Sequence, residues 1–254
     1  MTELCVIHPG ALSTLCWPRL ARHLPTGTRL RVLELEAINC YWEQDAAATT
    51  VDGLADRLRL TLDPRQDRVL VGWGFGGVVA ESLAARLARP PRSVVALDSI
   101  APGADRPTEA DLLRSYAMLV GARRGRPLVI EPERLEDSFE DALEHVREAA
   151  SRSGVLRDGT TVDALRRGYH QHSRARLFDY RVTKSHTPAG VPLTVVKAAR
   201  SLLPESPMLG WETTNDVELL ASGGDHYTML TEQAPSVHLA LLLQRWIGPT
   251  YAAA

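Results

Sequence analysis

The chain has 254 residues, 44% hydrophobic and 24% charged, with 16 prolines and a net charge of −2. That length and apolar content suit one globular domain with a sizeable core, and the near-neutral charge argues against nucleic acid or an anionic membrane as the main partner. The three cysteines, Cys5, Cys16 and Cys40, form no C-x-x-C pair and leave at least one free thiol, which points to a reducing, cytoplasmic setting rather than a disulfide framework. No apolar run reaches about 18 residues, and no basic segment followed by an apolar one opens the chain, so neither a membrane span nor a signal peptide is expected.

In chain order, β-rich runs alternate with amphipathic helices. Strands are expected at 4–8 (LCVIH), 29–35 (RLRVLEL), 68–73 (RVLVGW), 93–99 (SVVALDS), 192–198 (PLTVVKA) and 216–222 (DVELLAS), with helices near 17–24, 51–63, 76–88 and 234–247. Alternation of this kind predicts an α/β fold whose mostly parallel sheet carries helices on both faces. The middle breaks the rhythm. EADLLRSYAMLVGA, ERLEDSFEDALEHVREAASRS and TVDALRRGYHQHSRARLFDY are helical patterns, and no strand pattern occurs between about 105 and 187. A helical insertion between two strands predicts a lid over the sheet's C-terminal edge, within a single domain spanning 1–254.

The stretch RVLVGWGFGGVVAESL (68–83) runs from a strand through four glycines in six residues into a helix. Gly72, Gly74 and Gly77 satisfy G-x-G-x-x-G, and Asp98 ends the next strand about where a ribose-binding acid belongs, so one reading is a dinucleotide site. Bulky Trp73 and Phe75, the position on the third strand and the unused segment GGDHYTML weigh against it. The other reading is a nucleophile elbow, G-x-S-x-G, with Gly74 in the serine's slot and small Gly72 and Gly76 on either side. Three further loops favour the elbow. Asp98 follows one strand, His226 follows another, and HPGALS follows the first, in the order that a nucleophile–acid–histidine triad and its oxyanion loop require.

HPGALSTLCWPRLARHL, VGWGFGGVVAESLA, VVALDSIAPG and GGDHYTMLTE resemble the thioesterase domains that release chains from nonribosomal peptide and polyketide synthases. The resemblance covers both ends of the chain and implies an α/β-hydrolase fold. It also implies an acyl or peptidyl chain delivered on a carrier protein's phosphopantetheine arm, no other cofactor or metal, and release by hydrolysis, cyclisation or acyl transfer. Carried over to this sequence, it gives Asp98 the orienting acid's role, His226 the general base's, and the amides of Phe75 and Gly10 the oxyanion hole. Gly74 departs from the family, which has Ser or sometimes Cys there. The glycine is either an engineered removal of the nucleophile or natural. If natural, it implies direct His-assisted cyclisation or acyl transfer with no acyl-enzyme. An inactive module that binds carrier-held chains and a dinucleotide-binding oxidoreductase are the alternatives.

The remaining candidates have plainer readings. Cys16 beside the oxyanion loop is a substitute nucleophile or, more simply, a small buried apolar group. His8 is structural, and Asp225 braces its own turn. His170 and His172, with Arg166, Arg167, Arg174 and Arg176, read as a solvated lid face or a surface for an acidic carrier protein.

Overall fold

The computed structural model describes residues 2–36, 49–157 and 159–247. Six strands form one parallel sheet: β1 (Glu3–His8), β2 (Arg29–Glu34), β3 (Arg68–Trp73), β4 (Ser93–Leu97), β5 (Leu193–Arg200) and β6 (Val217–Asp225), in the order β2-β1-β3-β4-β5-β6. Each β-rich run of the sequence becomes a strand, with ends moved by one to three residues, and two of these shifts bear on the site. β4 stops at Leu97 rather than at 99, because Asp98 turns out of the strand at φ 42°. β6 runs on through Gly223 and Gly224 to Asp225, so His226 follows the strand directly.

Side chains alternate across the sheet, as strand geometry requires. Cys5, Ile7 and Leu70 face a core with α2 (Val51–Leu60) and α3 (Phe75–Arg86). Leu4, Val6, Val69, Val71 and Trp73 face the other core, with α1 (Cys16–Ala21) and the C-terminal helix. Between β4 and β5 lies the helical block: α4 (Glu109–Ala122), α5 (Pro132–Leu135), α6 (Phe139–Arg152) and α7 (Val162–Lys184). ERLEDSFEDALEHVREAASRS reads as one helical pattern but forms two helices, because Ser138 caps α6 by accepting from the Asp141 amide. Most of the block packs about its own core, but α4 and α7 each belong to two: Leu113, Tyr116 and Ala117 of α4 face the block while Met118, Leu119 and Ala122 pack against one sheet-side core, and Leu165 and Tyr169 of α7 face the block while Phe178 and Val182 pack against the other. After β6 come α8 (Thr228–Thr231) and α9 (Gln233–Ile247). Among the described residues no helix is long and apolar enough to cross a membrane.

This topology opens a crevice. β1 is followed by β2 on one side and β3 on the other, so the loops after β1 and β3 leave the sheet in opposite senses at its C-terminal edge, where open α/β sheets bind ligands. The glycines after β3 allow α3 to lie close on the strands. A Cβ at Gly72 would meet the Gly76 carbonyl oxygen at 2.1 Å, and one at Gly76 would meet the Ile7 carbonyl oxygen at 2.3 Å. Neither obstacle is a movable side chain. Gly72→Ala is therefore expected to cost about 3 kcal/mol or more, seen as a lower urea midpoint with unchanged slope.

Candidate active site

Gly74 stands alone between β3 and α3 at φ 53°, ψ −124°. This region is almost closed to residues bearing a side chain, and a sharp strand-to-helix turn of this kind is the shape a nucleophile elbow requires. The Gly74 amide donates to the Leu97 carbonyl at 2.9 Å, and its own carbonyl accepts from Gly77 at 3.0 Å, so both sides of the turn are fixed. The glycines here serve close helix–strand packing rather than a diphosphate: the spaces at Gly72 and Gly76 are filled by backbone, and Gly77 lies against Ser99.

Asp98 and His226 come together although 128 residues separate them. His226 Nδ1 lies 2.8 Å from Asp98 Oδ2, and both residues are buried. A carboxylate only accepts, so Nδ1 is the donor and the neutral ring's lone pair sits on Nε2. Nε2 faces the elbow: a Cβ at Gly74 would lie 3.2 Å from it and 3.1 Å from Cε1. Asp98 Oδ1 is held in turn by the Ala198 amide at 3.0 Å.

The β1 loop reaches the same place. Gly10 (φ 111°) and Ala11 (φ 66°) both adopt positive φ, which swings the chain across the top of the sheet. Gly10, Gly74, Phe75 and His226 line one cavity of about 260 Å³, and a second of about 450 Å³ meets it at Gly74, Phe75 and His226. The Phe75 amide opens α3, where the helix dipole favours negative charge.

One residue acts here that sequence reasoning left aside. Trp73 donates from Nε1 to the His226 carbonyl at 2.8 Å and stacks on the His226 ring, with centroids 5.1 Å apart. On its other side Trp73 stacks on His8, whose Nδ1 accepts from Trp17 and whose Nε2 bonds the Leu12 carbonyl. Burial lowers the His8 pKa, so His8 is a neutral brace for the β1 loop. A bulky aromatic directly before the elbow's central residue was the signal for Trp73. Asp225 braces its own turn, accepting from the Tyr227 and Thr228 amides.

Cys16 is buried, lines neither cavity, and burial pushes its thiol up to about 12, which removes it as a nucleophile. Cys40 lies outside the described residues. His170 is exposed, but His172 is not on a solvated face: it is buried, with Nε2 2.6 Å from Ser115 Oγ, which also lies 3.3 Å from the Tyr227 hydroxyl. The apolar spacing of α7 turns residues 165, 169 and 172 inward together, and the surrounding arginines hid this in the sequence. Burial, aided by the Arg176 charge, lowers His172 to about 3. The unfolded chain takes up this proton near 6.5 and the native state only near 3, so the contribution is complete above about pH 6.5 and is lost as pH falls. It amounts to roughly 3 kcal/mol between pH 7 and pH 4. Urea unfolding across that range should show it, and His172→Gln should flatten the slope.

Among the described residues no group of three or more His, Cys, Asp or Glu side chains could hold a metal ion.

Comparison with known proteins bears on the fold and the family. A four-domain nonribosomal peptide synthetase, crystallised in its holo form with AMP and glycine, matches 98% of this chain at 24% identity and a TM-score of 0.65; this chain spans 20% of that protein's length. The NocB thioesterase domain of the nocardicin cluster matches 98% of the chain and 94% of its own, at 20% identity and a TM-score of 0.56. The RedJ thioesterase of the prodiginine pathway in Streptomyces coelicolor matches 96% and 85%, at 17% identity and a TM-score of 0.57. At such identities the likeness shows the shared α/β-hydrolase fold. A search of curated protein sequences finds no match. The sequence profile of the thioesterase domain, in contrast, matches residues 2–244, nearly the whole chain, and by that match the chain belongs to the thioesterase domain family.

Proposed function

We propose that this protein acts on an acyl or peptidyl chain held as a thioester on a carrier protein's phosphopantetheine arm, in natural-product biosynthesis, and that it transfers the chain directly to a nucleophile within the chain or on a second bound substrate. In this reading His226 is the general base, Asp98 orients it, the Phe75 and Gly10 amides stabilise the oxyanion, and no acyl-enzyme forms. The observation that carries the reading is the elbow kept in shape around a glycine, with His226 Nε2 facing the gap where a hydroxyl would stand.

Magnitudes favour transfer over hydrolysis. A triad site without its nucleophile retains roughly 10³–10⁴-fold over water, or about 4–5.5 kcal/mol, from oxyanion stabilisation and binding. A nucleophile oriented within the substrate supplies an effective molarity of roughly 10⁵–10⁸ M, which more than offsets the loss. The two cavities meeting at Gly74 offer room for a chain and its acceptor on either side of the carbonyl.

The test uses two acyl-N-acetylcysteamine thioesters of equal length, one ending in an amine that can cyclise and one in a methyl group. The amine-ended thioester should be converted with no protein adduct by intact-mass spectrometry, and the methyl-ended one should be hydrolysed only slowly. Binding of both without conversion of either would make the protein an inactive chain-binding module. A covalent adduct would overturn the direct route.

A further inference from the structure

We infer that Arg176 recognises a carboxylate on one of the two reacting partners, the acyl chain or its acceptor; this rests on the proposed function and names the class of substrate. The inference starts from the course of α7. Gly168, His172 and Arg176 line the smaller cavity, Arg176, Thr183 and Lys184 line the larger, and Arg176 and Asp179 are shared by both. The spacing places these residues on one face of a helix that runs over both cavities. Arg176 stands where the two cavities meet, at the junction that Gly74 and His226 also line.

The nearest acid along α7 is Asp179, three residues on, which also lines both cavities. Among the described residues seven arginines are buried or half-buried. Arg68 pairs with Glu3, Arg86 with Asp52, Arg114 with Asp111, Arg147 with Glu144 and Arg166 with Glu140, while Arg31 donates to the Thr61 carbonyl. For Arg176, among the described residues, the structure gives neither a hydrogen bond nor an ion pair. Its charge is nevertheless felt at the site: it is the leading influence opposing burial at the Tyr227 hydroxyl and the second, after burial, at His172. A guanidinium partly withdrawn from water loses hydration that a neutral ligand does not restore, whereas a carboxylate meets its planar fork with two parallel charge-assisted bonds. Arg106 and Lys184, also on the larger cavity, are exposed and keep their water.

The pantetheine phosphate is the competing anion. It is separated from the thioester sulfur by the whole arm, while Arg176 shares its cavities with His226, where the thioester carbonyl must lie. A carboxylate near the reacting centre therefore suits this position better.

The test reads binding rather than turnover, so it does not depend on the chemistry of the proposed function. Calorimetry would compare amide isosteres of glutaryl- and pentanoyl-N-acetylcysteamine for the chain, and β-alanine and propylamine for the acceptor. In the unsubstituted protein one member of a pair, the carboxylated one, should bind at least 10-fold tighter. In Arg176→Gln that ratio should fall to about one, and in Arg176→Lys, which keeps the charge without the fork, it should lie between. No preference in either pair, or a preference that survives Arg176→Gln, overturns the inference. So does an Arg176 dependence seen only when phosphopantetheine is compared with pantetheine. Conversion of thioesters without carboxylate preference would sink this inference alone; carboxylate-selective binding without conversion would sink the proposed function alone.

Discussion

Gly74→Ser is expected to form an acyl-enzyme that the unsubstituted protein does not, and to raise thioester hydrolysis by at least roughly 10³-fold, since removing a serine nucleophile from a complete site costs up to roughly 10⁶-fold. The remaining parts are in place: Nε2 faces position 74, Asp98 holds Nδ1, and the Phe75 amide opens α3 beside it. Two costs oppose the gain. A side chain at φ 53°, ψ −124° costs about 1–3 kcal/mol, which should appear as a lower melting temperature. The new Cβ would also lie 3.1 Å from His226 Cε1, so the ring must yield by a few tenths of an ångström, and the Trp73 face behind it limits how far. Intact-mass spectrometry after mixing with an acyl-N-acetylcysteamine thioester reads the adduct. A folded, thioester-binding Gly74→Ser protein that neither acylates nor hydrolyses would show that the site is not a triad lacking its nucleophile.

The second large effect is expected for Asp98→Asn, a loss of roughly 10³–10⁴-fold in whatever transfer the protein performs. The Ala198 amide donates to Oδ1 and would keep the asparagine's oxygen on its side, leaving the amide nitrogen to face His226. That nitrogen donates, so His226 Nδ1 must accept and Nε2 must carry the proton. The base then faces the substrate already protonated. Asparagine tolerates the positive φ of residue 98, so the fold should survive. The measurement is kcat against KM for the cyclising thioester: kcat should fall with KM nearly unchanged. An equal loss through KM would give Asp98 a binding role instead.

The sheet was legible because period-2 apolar runs and turn residues act locally, and parallel strands buried on both faces leave near-continuous apolar runs such as VVAL and LCVI. Gly74, Asp98 and His226 were legible through their places after strands, since chain order survives folding. Strand ends were not: Asp98 leaves β4 early at φ 42°, and β6 absorbs two glycines, because hydrogen bonding across the sheet rather than propensity decides them. His172 and Ser115 were missed for another reason. A histidine among arginines looks solvated in one dimension, and only the packing of α7 on α4 shows that it faces inward.

The double membership of α4 constrains how anything reaches Gly74. Met118 and Leu119 are buried on the sheet side while the rest of the helix holds the helical block together. Lifting the block as one body would return both side chains to water at about 1.5–3 kcal/mol each, which makes such a state about 10²–10⁴ times rarer than the closed one. In terms of motion, α4 is part of the floor. The C-terminal half of α7 is held in the same way, by Phe178 and Val182 in the core beneath α3, so α6 and the first half of α7 are what remains to move, and the buried bond between Ser115 and His172 ties that half to α4.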